Sequence, residues 1–371
     1  MKVGGRVVTP RGVLDEGYVE FDGETITAVG EGAVPERVPD GHWIVPGFVD
    51  IHTHGGGGHT FTTGDAESAR GAAAFHLAHG TTTLLASLVS SPFALMRQAT
   101  AAFAPLVRER IFAGIHFEGP YLSAARCGAQ NPEHLRDPSV DELTTLIELG
   151  DGAVRMVTIA PERPGALTAI EFLTTHGVVA AVGHTDATYD QTLAAVTAGA
   201  SVGTHVFNGM RPPHHREPGP VFALLGAAGV VCELVADGVH LHRGTIAFAA
   251  SVTGPDRAAL ITDAMAAAGM GDGEYELGGQ AVVVADGVAR LARDGSIAGS
   301  TLTMDAALRQ AISAGVSMVD ACRMASTTPA RAIGLGDSVG ALVAGRRADL
   351  VHLDDELRVI RVMRGGTWQD V

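Results

Sequence analysis

Apolar residues follow two different rhythms along this chain. From Lys2 to about Pro46 the runs are short and broken by turn residues: GGRVVTP, GYVEFDG, ETITAVG and HWIVPG. The closing stretch returns to that character with ADLVHLD, LRVIRVMRGG and TWQDV. Short strands with Gly and Asp turns at both ends predict a small β-sandwich domain built from both termini, residues 1–46 and 340–371.

The region between, 47–339, reads differently. Apolar, β-branched runs recur as GFVDIHTH (47–54), TTTLLAS (81–87), IFAGIHFEG (111–119), VRMVTIAPE (154–162), VVAAVGHTD (178–186), SVGTHVFNG (201–209), VVCELVADGVH (230–240) and ALITDAM (259–265). Ala/Leu-rich helical stretches such as AESARGAAAFHLAHG and TYDQTLAAVTAGA lie between them. Continuous apolar strands alternating with helices indicate parallel strands buried on both faces. Eight such units in about 220 residues predict an α/β fold, a (β/α)8 TIM-like barrel. An open doubly wound sheet is the rival, and the count of eight favours closure. Residues 273–300 read as a β-hairpin insertion around an Asp286-Gly287 turn, near the barrel mouth.

The polar residues of interest fall at the C-terminal ends of these strands, where barrel active sites form. His52 and His54 are two apart on strand one, so both imidazoles share one face. Glu118 ends strand three, His184 strand five, His205 strand six and Asp263 strand eight. A lone buried His is ordinarily a satisfied core residue, and most of the 16 histidines (His42, His76, His79, His134, His176 and His352 among them) earn no functional reading. Independent strands that end in His, Glu or Asp at one level are another matter. Burying six such groups is costly unless a metal or hydrogen bonds satisfy them. Four His and two carboxylates make a first shell for one or two Zn²⁺-class ions, with Fe, Mn and Co sharing the same ligands.

Composition trims the alternatives. The 371 residues carry 41 Asp+Glu against 26 Lys+Arg, a net charge of −15, which argues against a broad nucleic-acid surface. Lys2 is the one lysine, so a Schiff-base, P-loop or carbamylated lysine has no other source. Cys127, Cys232 and Cys322 are far apart and odd in number, which fits a reducing compartment. The start of the chain lacks the apolar core of a signal peptide, and no stretch reaches the roughly 18 apolar residues of a membrane helix. The expected location is the cytoplasm.

The motifs VPGFVDIHTHGGGG, HFEGPYLS (116–123), GHTDA (183–187), THVFNGM (204–210), REPG (216–219), ADGVHLH (236–242), TDAM (262–265) and AGSTLTMD (298–305) together resemble the N-acetylglucosamine-6-phosphate deacetylases of the amidohydrolase superfamily. The C-terminal GALVAGRRADLVHLD (340–354) is similar to the return strand into the amidohydrolase β-domain. The resemblance spans essentially the whole chain, in order. It implies metal ligation by Glu118, His184 and His205. A second ion on His52 and His54, bridged by Glu118 and possibly shared with Asp263, is feasible, since this chain retains the His-x-His that some members lack. With no lysine available for a carbamate bridge, Glu118 is the expected shared ligand.

The resemblance also implies hydrolysis of the acetamide of N-acetyl-D-glucosamine 6-phosphate. A metal acidifies water, Asp263 takes its proton during attack on the acetyl carbonyl, and protonated Asp263 then serves the departing amine. The plain alternative for Asp263 is a helix N-cap, which TDAM would suit. Sugar and phosphate contacts are implied for Asn208, Gly209, Arg216 and His240, with backbone around Ala129 and at Ile297, Ala298 and Gly299. Arg216, in MRPPHHREPG, could equally sit in a rigid connector, or act across the interface of an expected homodimer. The galactosamine epimer, another N-acyl or cyclic amide, and a non-catalytic scaffold are the competing readings. GGGG (55–58) lacks the Gly-Lys-Ser/Thr of a phosphate loop and reads as a mobile segment at the metal mouth. GLGDSVG (334–340) reads as a turn, and Cys127 as a free thiol.

Overall fold

In the computed structural model, which describes residues 1–370, the strands in chain order begin with β1 (Lys2–Thr9), β2 (Gly12–Asp22), β3 (Thr25–Glu31) and β4 (Trp43–Pro46). The barrel opens with β5 (Phe48–Thr53), followed by a short ribbon of β6 (Gly55–Gly56) and β7 (His59–Thr60). Then come β8 (Thr81–Leu88), β9 (Gly114–Glu118), β10 (Val154–Ile159), β11 (Val179–Val182), β12 (Val202–Gly203), β13 (Val231–Val235) and β14 (Ala258–Ile261). An antiparallel insertion contributes β15 (Gly273–Leu277), β16 (Gln280–Ala285) and β17 (Val288–Leu291), and the chain closes with β18 (Leu350–Leu353), β19 (Val359–Arg364) and β20 (Thr367–Trp368).

The eight strands β5 and β8–β14 form one parallel sheet in sequence order, with a helical segment on most crossovers. Every residue of β5, β8, β9 and β13 is buried, as expected of strands covered on both faces. The ends of the sheet meet: Asp263 N–H donates to His52 O at 2.9 Å and His54 N–H to Ala264 O at 2.7 Å. This closure rules out the open doubly wound sheet. It also seats Asp263 beside the His-x-His strand.

Both termini share a second sheet of seven strands, in the order β20-β19-β18-β4-β1-β2-β3, around its own apolar core of Val3, Val7, Val19, Phe21, Ile26 and Leu350. The insertion carries one strand more than the hairpin read from the sequence. β16 and β17 do turn at Asp286, but β15 pairs along the other edge of β16. The alternation of Tyr275 and Leu277 against exposed Glu274 and Glu276 was the signal for that third strand. Leu277, Val282, Val284, Ala289 and Leu291 pack with Val89 and Met265, so the insertion roofs one side of the strand ends.

Of the glycine run after β5, Gly55–Gly57 are closely packed, while Gly58 is exposed. Gly55–Gly56 pairs with His59–Thr60, and a Cβ on Gly56 would lie 2.3 Å from the ring of Phe75 on the helix Ala66–Ala78. No helix among the described residues is long and apolar enough to cross a membrane.

Candidate metal centre and active site

Two groups of three side chains that could hold a metal ion meet at the C-terminal rim of the barrel: His52, His54 and Asp263, and Glu118, His184 and His205, all buried. His52 Nε2 and His54 Nε2 face each other at 3.2 Å, as do His184 Nε2 and His205 Nε2. Glu118 joins the halves. Its Oε1 is 3.0 Å from His184 Nε2 and 2.8 Å from His205 Nε2, and its Oε2 is 3.2 Å from His54 Nε2. Asp263 Oδ1 lies 3.2 Å from His54 Nε2 and 3.6 Å from His52 Nε2.

Backbone strain marks the same residues. His184, His205 and Asp263 take φ of 43°, 28° and 49°, a region L-residues rarely occupy. Such conformations persist only where surroundings enforce them. For His184, Gly209 makes the room: a Cβ there would be 2.8 Å from His184 Nδ1. Asp263 is held through its carbonyl, which accepts from Ser300 N–H at 2.7 Å. No helix begins at TDAM, and the next starts at Met304, so Asp263 is not an N-cap.

Three of the four rim histidines have a partner for the ring nitrogen that faces away from the centre, whereas His205 Nδ1 is buried with none among the described residues. His54 Nδ1 lies 3.1 Å from Ser87 O, His184 Nδ1 2.8 Å from Arg126 O, and His52 Nδ1 3.0 Å from Glu233 Oε2. In the neutral rings, donation to these acceptors would leave each Nε2 lone pair aimed inward, the arrangement typical of metal-ligating histidines.

Electrostatics agree with a cation-binding centre. Burial by itself would lower His54, yet hydrogen bonds to Asp263 and Glu118 lift it to about 9. His52 is likewise raised, burial being outweighed by Glu233, Glu118 and Asp263. Burial would raise Glu118 and Asp263, but the surrounding imidazoles hold both well below the usual carboxylate range. Buried donors whose carboxylates stay ionised suit a divalent ion, and the N/O donor set suits Zn²⁺, Fe²⁺, Mn²⁺ or Co²⁺.

A cavity of about 310 Å³ opens onto this centre, lined by Ala129, Asn208, Gly209, His240, Ile297 and Gly299 among others. Ala298 is fully buried and turns into the core of the insertion, its N–H donating to Ala289 O at 3.0 Å. Its neighbours on both sides face the cavity; Ala298 does not. Arg216 lies outside its own chain's cavity, on an exposed loop, with Nη1 2.8 Å from His215 Nε2. No Lys or Arg among the described residues lines the cavity.

Sequence reasoning passed over several residues. Gln130 donates to Glu118 Oε2 at 2.6 Å and accepts from Ser90 N–H at 2.7 Å. Asp237 accepts from His240 Nδ1 at 2.6 Å, which overcomes burial and raises His240. Glu233 and His116 sit beneath the centre; burial pushes His116 well down, and it bonds Ser87 Oγ and Thr158 Oγ1. For Glu233 a signal existed, a lone carboxylate in the apolar run VVCELV.

The amidohydrolase family model matches residues 43–368, most of the chain and the whole of the barrel. The chain belongs to the amidohydrolase family. Among relatives, the N-acetylglucosamine-6-phosphate deacetylase of Lysinibacillus sphaericus is 36% identical over 331 residues, covering 88% of this chain and 85% of that protein. The N-acetylgalactosamine-6-phosphate deacetylase of Escherichia coli O157:H7 is 37% identical over 363 residues and 96% of each chain. The crystal structure of N-acetyl-D-glucosamine-6-phosphate deacetylase from Mycobacterium smegmatis superposes with a TM-score of 0.96 at 47% identity, covering 100% of both chains. An aspartate-to-alanine mutant of that enzyme, solved with N-acetyl-D-glucosamine 6-phosphate, matches at the same TM-score and identity, covering 99% of this chain and 98% of that one.

Proposed function

We propose that this amidohydrolase hydrolyses the acetamide of N-acetyl-D-glucosamine 6-phosphate to D-glucosamine 6-phosphate and acetate. The observation that carries the reading is Asp263, an ionised carboxylate at the cavity floor, 3.2 Å from His54 Nε2 and within reach of the donors joined by Glu118. Two divalent ions, Zn²⁺ first among them, would sit on His52, His54 and Asp263 and on Glu118, His184 and His205, with Glu118 between. A bound divalent ion supplies a Lewis acid that acidifies water and polarises the acetyl carbonyl.

The remaining work belongs to the chain. Asp263 accepts the proton of the attacking water and returns it to the sugar nitrogen, without which the amine is a poor leaving group. No covalent intermediate is required, so no Ser or Cys nucleophile is needed. Asn208, His240 and the backbone at Gly209, Ala129, Ile297 and Gly299 orient the sugar. His240, held by Asp237, which raises its pKa, turns to the phosphate end. Arg216 completes the phosphate clamp from the second subunit of a homodimer, since its own cavity lacks a guanidinium. Three unpaired thiols support a cytoplasmic location.

The test is acetate release by the metal-replete protein from N-acetylglucosamine 6-phosphate and from its galacto epimer. A kcat/KM favouring the gluco substrate supports the reading. Release from neither 6-phosphate overturns it.

A further inference from the structure

β13 runs through the barrel core with every residue buried, and Glu233 is its one charged side chain, 0% exposed. Placing a carboxylate there is costly unless strong partners offset it. No Arg or Lys among the described residues pairs with it. Its partners are instead the two halves of the metal centre. Glu233 Oε2 lies 3.0 Å from His52 Nδ1 and accepts from His205 N–H, also at 3.0 Å. Its other oxygen, Oε1, is buried and finds no partner among the described residues.

The contrast with the neighbouring rings decides what this contact does. His54 and His184 turn Nδ1 to backbone carbonyls, so the fold itself fixes their tautomers. His52 depends on a side chain. With Nδ1–H donating to Glu233, the Nε2 lone pair points at His54 and Asp263; with Nδ1 released, the ring could carry its proton on Nε2 and present none. The same Glu233 oxygen anchors the strained backbone of His205, whose φ is 28°, and Val206 N–H donates to Glu233 O at 2.9 Å.

We propose that Glu233 is a positioning residue that builds the ion site of His52, His54 and Asp263, by fixing the tautomer of His52 and adding a negative charge behind it. The inference rests on the reading of the six rim ligands as a two-ion centre. Glu233 touches neither substrate nor ion. Because Glu233 orients the ring of His52 but only the main chain of His205, its loss weakens the ion of His52, His54 and Asp263 more than the ion of Glu118, His184 and His205.

The experiment measures binding rather than turnover. Metal-free wild type, E233Q and E233A are titrated with Zn²⁺ against a competing chelator, with Co²⁺ absorption as a second readout and the metal-free melting temperature as the control for folding. Wild type is expected to take up two ions. E233A is expected to hold one close to wild-type affinity and the other about 10- to 100-fold more weakly. E233Q, which keeps an acceptor for both hydrogen bonds but not the charge, should fall between. Two ions at wild-type affinity in both variants overturn the proposal, as does an equal loss for both ions. A wild type that binds a single ion overturns it too. If E233A fails to fold, E233Q alone decides on the same criterion. A wild type that binds no divalent ion brings down the metal-centre reading itself, a result distinct from failure of the Glu233 assignment.

Discussion

Asp263 Oδ1 stands 3.2 Å from His54 Nε2, on a backbone held at φ 49° by closure of the barrel. The imidazoles of His52 and His54 keep this carboxylate ionised despite burial. D263N retains the shape and removes the proton acceptor. Acetate release should fall by about 10²- to 10⁴-fold in kcat with a small change in KM. A loss below tenfold would take the proton-transfer role away from Asp263.

Glu118 reaches both halves of the centre, so its removal and that of the His-x-His pair should differ in kind. E118A is expected to lose both ions. The double variant H52A/H54A keeps Glu118, His184 and His205 and should retain one. Elemental analysis of the purified proteins checks this directly. Equal metal content in the two variants would show that Glu118 is not shared.

Much of this centre was legible because barrel geometry concentrates chemistry at strand ends. His52, His54, Glu118, His184, His205 and Asp263 each terminate an apolar run, and a chain-wide rhythm of eight runs suffices to bring them to one rim. β12 shows how little strand is needed: two residues, Val202–Gly203, still deliver His205. Gln130 and Asp237 were not legible, since they reach the site through loops whose paths no periodicity encodes. The glycines at 55–58 misled for a related reason. Glycine signals either freedom or close approach, and here the His59–Thr60 backbone against Gly55 and the ring of Phe75 against Gly56 and Gly57 make it close approach. Arg216 poses the same difficulty across chains, because a loop motif carries no information about which subunit it serves.

Away from the site, Asp305 offers a stability test with a defined pH window. Burial would raise its pKa, but His79, Thr303 and Arg309 bring it from 3.8 to about 2. A depressed carboxylate contributes stability that is present above its unfolded value and lost as pH falls through the folded one. The contribution, about 2 kcal/mol by linkage, should therefore disappear between pH 3.8 and about 2. D305N should be less stable than wild type at neutral pH, and the two should converge across that acid window in metal-free denaturant titrations. A difference that is constant with pH would mean that Asp305 acts through packing alone.

The phosphate clamp proposed for Arg216 gives the sharpest test of quaternary structure. Arg216 is exposed in its own chain and the cavity is lined by no guanidinium, so R216A should raise KM strongly and leave kcat for a non-phosphorylated N-acetyl sugar nearly unchanged. If the arginine serves its neighbour, R216A and D263N subunits complement each other. In a mixed dimer the R216A subunit keeps Asp263 and receives Arg216 from its D263N partner. Random exchange of equal amounts should then restore about a quarter of wild-type turnover at low substrate, because half of the dimers are mixed and each has one complete site. An Arg216 that acted within its own chain would leave every mixed site defective, and the mixture would show no more activity than the average of its parents.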